Sequence, residues 1–290
     1  MPELPEVETV RRGLASRVVG RRIDHVEVGR ERTVRRTSAR ALIDGLTGTS
    51  VLAAERRGKY LLLPLDSGDT VMIHLRMSGQ VLIAPSGGRR PAHTHVVASL
   101  APSATAPAEE LWFVDPRTFG EMVVFDPDHV AIELPELARL GVDPLADELD
   151  VATLRRLLAG RRTRMKPLLL DQHVIAGIGN IYADEILHAA RLHPDRVAGT
   201  LRRAEIGRVH EQLHRILEAS VRAGGSTLGD RQYVDLMGSG GSYQDDHRVY
   251  GRAGLPCLTC GRGIVRRTVD GGRSTHHCPV CQRAARPPVR

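Results

Sequence analysis

Near its carboxyl end the chain reads Cys257-Leu258-Thr259-Cys260 and then, after 17 intervening residues, Cys278-Pro279-Val280-Cys281. The protein has 4 cysteines, and all lie in these two Cys-x-x-Cys pairs. That spacing is that of a closed four-thiolate zinc site, in which each pair clips one edge of a tetrahedron. Two disulfides or a thioredoxin-like redox pair are the alternatives, but no cysteine is spare and no βαβ pattern surrounds the motif. With Cys257, Cys260, Cys278 and Cys281 as ligands, no coordination position is left open, so the zinc holds structure and does no chemistry. Residues 264–269 and 274–277 suit the arms of a hairpin between the clips. Arg262, Arg266, Arg267 and Arg273 load that segment with positive charge, which suits phosphates.

Outward from this module the pattern changes twice. Residues 20–125 hold short strand-like runs at 23–28, 51–56, 60–65, 70–75, 80–84 and 94–100, parted by turns such as Asp66-Ser67-Gly68-Asp69. Strands this close in sequence need antiparallel pairing, so a β-sandwich is expected. The Ala- and Pro-rich stretch 101–110 reads as a solvated hairpin insertion. A helix precedes the strands, with Pro5 in its first turn, Glu6 and Glu8 complementing its dipole, and Val7, Val10 and Leu14 on one face.

From about residue 131 the period becomes helical. Residues 134–145 read as a connector, and Asp150 suits the N-cap of a helix over 151–159. Thr200 is placed to cap a long helix whose stripe Ile206, Val209, Leu213, Ile216 and Leu217 faces a core, with Gly224-Gly225 ending it. Residues 224–247, rich in Gly, Ser and Asp, read as a mobile loop. The fold class is therefore α+β and multidomain.

The chain has 290 residues and a net charge of +7. Its pI of about 9.7 points to a polyanionic partner, or else to a generally basic surface. Of its 41 basic residues only 2, Lys59 and Lys166, are lysine. In so Arg-biased a chain, surviving lysines are candidates for work that needs a compact charge or a titratable amine. No apolar run is long enough for a membrane span, and Glu3, Glu6 and Glu8 are unlike a secretory signal. With the cysteine pattern, this places the protein in a reducing cytoplasm.

The chain begins Met1-Pro2-Glu3-Leu4-Pro5-Glu6. Removal of Met1 before a small residue leaves Pro2 with a free secondary amine. An α-amino group has a pKa near about 8, so a useful fraction is neutral at physiological pH. A secondary amine on an aldehyde-level carbon gives a cationic iminium, an electron sink for eliminating a β-phosphate. Glu3 beside it can shuttle protons.

Six segments in order resemble the formamidopyrimidine-DNA glycosylase family over nearly the whole chain. They are Pro2–Thr9 (Pro-Glu-Leu-Pro-Glu-Val-Glu-Thr), Arg57-Gly58-Lys59-Tyr60, His74-Leu75-Arg76-Met77-Ser78-Gly79-Gln80, Asp115-Pro116-Arg117-Thr118-Phe119-Gly120, the run from Gly177 to Glu185, and the cysteine hairpin. The resemblance implies an N-terminal antiparallel β-sandwich (1–130), a helix–two-turn–helix DNA-binding domain with a lesion-capping loop (131–247) and a C-terminal β-hairpin zinc finger (248–290).

It also implies a bifunctional glycosylase and abasic-site lyase acting on oxidised purines in damaged double-stranded DNA. Pro2 would be the nucleophile, Glu3 the acid that assists sugar opening, and Lys59 the lysine of the elimination steps. Arg273 would grip the departing phosphate, and Glu6 would support the amine. Met77, Arg117 and Phe119 match residues that fill the gap left by a flipped base. Asn180, His93, Lys166 and Arg161 match or extend a phosphate-contacting surface, Asn180 by presenting a helix start to phosphate.

The chain departs from the family's pattern at Thr118, where a second arginine is common, and at Gly229, where some members carry a lysine in the capping loop. The competing readings are an endonuclease VIII-like enzyme for oxidised pyrimidines and a non-catalytic zinc-containing nucleic-acid-binding protein. The second leaves Pro2-Glu3 and Lys59 without a role. A monomer associated with the nucleoid is expected.

Overall fold

A computed structural model describes residues 1–104, 106–229 and 232–284. The chain forms two compact units, Met1–Arg139 with Val221–Gln244, and Leu140–Ser220 with Asp245–Arg290.

The first unit opens with helix α1 (Leu4–Arg17) and continues through β1 (Ile23–Val28), α2 (Ala39–Leu46), β2 (Glu55–Arg57), β3 (Tyr60–Pro64) and β4 (Thr70–His74). Strands β5 (Gln80–Pro85), β6 (Thr94–Leu100), β7 (Glu109–Val114) and β8 (Glu121–Phe125) follow. Among the described residues they make two four-stranded sheets, ordered β1-β6-β7-β5 and β2-β3-β4-β8. Every named pairing is antiparallel, as the short connections require. Val7, Val10 and Leu14 of α1 share one core with residues from both sheets, among them Leu61, Ile73, Val96 and Phe113.

Three stretches depart from the sequence reading. The run expected over 51–56 becomes a strand only from Glu55, with Val51 in an isolated bridge to Leu65. Residues 39–46 are helical, because the Ser38 hydroxyl caps the Ala41 N–H at 3.1 Å and Leu42 and Leu46, four apart, both face the core. The 101–110 stretch is not wholly solvated: it ends in Glu109 and Glu110, both buried as they open β7. Each carboxylate is answered by arginine, Glu109 by Arg21 at 2.8 Å and by Arg17, Glu110 by Arg90 at 3.1 Å. Burial of two acids at a strand start is invisible to a hydropathy pattern.

Residues 221–229 and 232–244 fold with this unit. Gly224 and Gly225 take φ of 73° and 81°, the left-handed region in which glycine carries no penalty. Beyond them the chain is well tied down. The Thr227 hydroxyl donates to Tyr233 O at 3.0 Å and accepts from Gly241 N–H at 2.9 Å. Leu236 packs so closely on α1 that a Cβ at Gly13 would lie 2.8 Å from its own Cβ. Side-chain hydrogen bonds and that packing tie down the described part of the stretch expected from composition to be a mobile loop; residues 230 and 231 lie outside the described residues. The single turns α3 (Val130–Glu133) and α4 (Pro135–Ala138) end the first stretch of this unit.

The second unit carries α5 (Val151–Leu158), α6 (Met165–Leu170), α7 (Asn180–Ala189) and most of α8 (Arg203–Arg222), then the hairpin β9 (Arg266–Asp270) and β10 (Arg273–His277). Asp150 caps α5, accepting from Thr153 N–H at 2.7 Å. Thr200 does not cap α8. It closes a short 3-10 turn, and Glu205 instead accepts the Arg202 N–H at 2.7 Å. The stripe from Ile206 to Leu217 is buried. Gly271 and Gly272, with φ of 55° and 78°, make the two-residue turn of the hairpin.

Candidate active site and nucleic-acid interface

At the amino end, sequence and geometry meet in a capping box. Glu3 is the N-cap of α1; its carboxylate accepts from the N3 backbone, and Glu6 at N3 reaches back. The Glu3 N–H donates to Glu6 Oε2 at 2.8 Å. Glu6 Oε1 accepts the Ser226 N–H, also at 2.8 Å. One buried carboxylate thus ties the residue after Pro2 to the 226 loop. Pro2 itself is buried while Met1 is about half exposed. Gly225 must be glycine here, since a Cβ would come within 2.9 Å of Glu6.

Glu8, read as a dipole partner, is held by arginine. Burial alone would raise its carboxyl, but Arg11, Arg12 and Arg56 outweigh that and lower its pKa to about 2. Lys59 is buried in the turn between β2 and β3, beside Gly58 with φ of 57°. On the facing strand His74 stacks edge-on against Tyr60, ring centroids 4.4 Å apart. Burial first, then the charges of Arg76 and Lys59, lower the His74 pKa to about 3. Its Nδ1 accepts the Arg76 N–H at 2.9 Å, so the ring is neutral.

Met77 and Phe119 stand in solvent, 42% and 43% exposed, as their turn-flanked positions lead one to expect. Arg117 lies over the Phe119 ring at 5.6 Å and donates to Gln232 Oε1 at 3.0 Å. The group that joins these tips is Asp115, fully buried. Its carboxylate accepts from the Ser78 hydroxyl at 2.5 Å, the Gly120 N–H at 2.6 Å and the Arg117 N–H at 3.2 Å. Its N–H donates to His93 O at 3.0 Å, and its carbonyl meets His95 Nε2 at 2.8 Å. Three non-glycine residues with positive φ, Arg76 (52°), His93 (66°) and Thr118 (55°), lie on the loops Asp115 binds. His93 is exposed.

In the second unit, Lys166 is not on an open basic edge. It is buried, ion-paired with Asp184 at 2.6 Å, and donates to Ser274 O of β10 at 2.6 Å. Asp184 also accepts the His276 N–H at 2.8 Å. This pair fastens the hairpin to α6 and α7. Breaking such a pair by removing one partner costs on the order of 3–5 kcal/mol. Asn180 is the first residue of α7, after an N-cap at Gly179 that has no side-chain cap. Its Oδ1 is buried with no hydrogen-bond partner among the described residues, an acceptor that water or a ligand group could satisfy. Gln172 props the preceding loop, accepting the Gly177 N–H at 2.8 Å. Arg273 is exposed beside the hairpin turn. Arg161 is exposed too, its Nε on Leu157 O at 2.8 Å.

The four cysteines converge, their sulfurs all within 4.8 Å of one another. The Cys257–Cys281 and Cys260–Cys278 separations are both 3.8 Å, too long for disulfides, which span about 2.05 Å. Backbone N–H groups of Gly263 and Arg262 lower the Cys260 pKa, while burial raises those of Cys278 and Cys281, so a metal would have to displace protons to gain four thiolates. A Cβ at Gly263 would lie 2.5 Å from Cys278 Sγ, so no side chain fits at 263 beside that sulfur.

Family models describe the same chain from its sequence. The formamidopyrimidine-DNA glycosylase N-terminal domain matches residues 1–122, and the H2TH domain of that glycosylase matches residues 140–232. The formamidopyrimidine-DNA glycosylase of Heliobacterium modesticaldum is 42% identical over 286 residues, 98% of this chain and 100% of its own. The chain belongs to the formamidopyrimidine-DNA glycosylase family. Among solved structures, Lactococcus lactis Fpg in complex with DNA containing an abasic site has a TM-score of 0.87 at 34% identity, covering 97% of this chain and 100% of its own. The same enzyme with DNA containing an oxidised pyrimidine has a TM-score of 0.86 at 35% identity, covering 98% and 100%.

Three residues gain a role only from the structure. Asp115 lies within a motif whose sequence assigns it none, and its burial is what reveals it. Asp184 and Glu185 sit side by side in a largely apolar stretch of α7, and that pairing was the available signal. Glu185 accepts the N–H groups of Arg248, Val249 and Tyr250 at 2.9, 3.0 and 2.8 Å. It anchors the chain entering the cysteine module. Among the described residues no helix is long and apolar enough to cross a membrane.

Proposed function

We propose that the protein is a bifunctional DNA glycosylase and abasic-site lyase that removes oxidised purines (8-oxoguanine and formamidopyrimidines) from duplex DNA. The observation that carries this reading is the buried Pro2-Glu3 end, fixed by the Glu3/Glu6 capping box at the start of α1. With Met1 removed, the Pro2 nitrogen attacks C1′ of the damaged nucleotide. Glu3 protonates the sugar oxygen as the ring opens, the C1′–base bond breaks and the base leaves with a proton. The amine proton is lost, giving the iminium. Removal of a C2′ proton then sends an electron pair toward the iminium nitrogen and expels the 3′-phosphate, and δ-elimination expels the 5′-phosphate. Water finally releases the sugar remnant from Pro2. Lys59 is the buried cation available to the elimination steps, and Arg273 grips a leaving phosphate.

Met77 fills the vacated stack, while Arg117 and Phe119 meet the orphaned partner base. Asn180, His93 and Arg161 contribute phosphate contacts. Lys166 acts by holding the hairpin. Cys257, Cys260, Cys278 and Cys281 would hold one structural Zn2+; the ion fixes the hairpin and takes no part in bond breaking. The protein acts as a monomer on nucleoid DNA.

Borohydride trapping tests the reading. A covalent adduct on a duplex carrying 8-oxoguanine opposite C, mapped to Pro2, is expected. Zinc-replete protein lacking Met1 that forms no adduct on any lesion overturns it. A second reading, in which oxidised pyrimidines are the preferred lesion, draws support from the similar Lactococcus lactis structure with such a lesion. A faster adduct on an oxidised-pyrimidine duplex would favour it.

A further inference from the structure

Some arginines in this protein are answered by a carboxylate. Arg21 meets Glu109, Arg36 meets Glu121 and Arg90 meets both Glu27 and Glu110. Five exposed arginines of the second unit gather around two hollows: Arg191, Arg215, Arg248, Arg262 and Arg283 line them, with no ion pair among the described residues. The hollows, of about 470 and 240 Å³, share Arg191 and Thr259, and no carboxylate lines either. Gln212 orients Arg215, accepting from its Nε at 2.7 Å.

Arg191 stands at the common border, in a position where glycine is the default. Its φ is 54°, and Leu192 N–H closes back on Leu187 O at 2.9 Å, with Arg191 N–H on His188 O at 3.0 Å. This is the left-handed C-terminal cap that glycine ordinarily fills. An arginine there costs about 1–2 kcal/mol, and the cost is kept at the centre of an uncompensated cationic cluster. The α7 C-terminus offsets part of the charge at Arg191; Arg215 and Arg248 have no such partner.

The geometry points to a second phosphodiester-binding surface, independent of the lesion, centred on Arg191, Arg215 and Arg248. It lies at the far end of α7 from Asn180. Ten residues at about 1.5 Å each put roughly 15 Å between the two ends of that helix. The ligand is nucleic-acid backbone, either of the repaired duplex beyond the lesion or of a second duplex. Binding there is separate from the Pro2 chemistry.

The test compares wild type with the triple variant Arg191→Gly/Arg215→Gln/Arg248→Gln, which leaves Arg262 and Arg283 beside the cysteines in place and suits the Arg191 backbone. Affinity for undamaged duplex DNA is measured against salt concentration. Each phosphate left without its arginine should flatten the log–log slope by about 0.9, so a change of about 2–3 is expected. Trapping on a short lesion-centred duplex should be unchanged, which separates failure here from failure of the Pro2 reading. Loss confined to long single duplexes assigns the surface to flanking backbone. Loss of co-capture of two labelled duplexes assigns it to a second segment. An unaltered slope in every format overturns the inference, as does loss of trapping in a folded, metal-replete variant.

Discussion

Replacing Asp115 with alanine should slow base excision about 100-fold while leaving attack on a preformed abasic site nearly intact. The carboxylate is fully buried and accepts at 2.5 Å from Ser78 and 2.6 Å from Gly120. Its loss strands a buried hydroxyl and a buried N–H, each costing about 1–3 kcal/mol. It also frees Thr118, which sits between the Arg117 and Gly120 N–H groups that bind the carboxylate and whose φ of 55° is held against a cost of about 1–2 kcal/mol. These penalties fall on the two loops that carry Met77, Arg117 and Phe119. If about 2.7 kcal/mol of them appears at the flipping step, the rate falls about 100-fold. Single-turnover excision of 8-oxoguanine reads that step, and borohydride trapping on an abasic duplex bypasses extrusion of a stacked base. Asp115→Asn keeps one acceptor for Gly120 and should recover part of the rate. Excision within twofold of wild type would show that Asp115 does not set the wedge loops; equal losses in both assays would mean that the unit collapses and that wedge positioning is not the cause.

Other perturbations have equally definite outcomes. Gly263→Ala drives a Cβ to 2.5 Å from Cys278 Sγ, so metal content of the purified protein should fall well below one equivalent, and chelation of the wild type should mimic its loss of DNA binding. Glu6→Gln sets an amide NH2 against the N–H of Glu3 or Ser226, costing about 1–3 kcal/mol; faster hydrogen exchange at Ser226 together with weaker Pro2 trapping is expected, and change in neither would remove the proposed link. Burial lowers the pKa of His74 to about 3 and of His247 to about 4, from 6.5. Both rings are neutral when folded, so the unfolded chain takes protons first: stability is full above pH of about 6.5 and declines as pH falls toward 4. Between pH 7 and 5 each should cost about 2 kcal/mol. Denaturant titrations at the two pH values measure it, and His74→Gln should reduce the slope if it still folds.

Much of this architecture was legible in the chain. The cysteine spacing fixed a four-sulfur cluster because two short clips bring their own ligands together with little help from the rest of the fold. Alternation and turn residues located most strands, since a half-buried strand and a tight turn each leave a local signature. Pro2 and Glu3 could be nominated from the chemistry of an N-terminal imino acid beside an acid together with the family resemblance, and Met77 and Phe119 from that resemblance, with turn formers beside both favouring exposed tips. Helix α2 was hidden in a β-rich stretch, and Thr200 looked like a cap that Glu205 displaced.

What only the tertiary structure decided concerns charge. Nothing local separates Asp115, buried with its oxygens on Ser78, Arg117 and Gly120, from any acid before a proline. Its rarity as a lysine marks Lys166, yet nothing local says that it is locked on Asp184 and Ser274 while Arg164, two residues away, lies on the surface. A side chain's type is written in the sequence, but its burial and its partner come from segments far away along the chain, 37 residues for Ser78 and Asp115 and 108 for Lys166 and Ser274. Electrostatic roles depend on burial and partner together, because desolvation makes a charge costly until a specific group answers it.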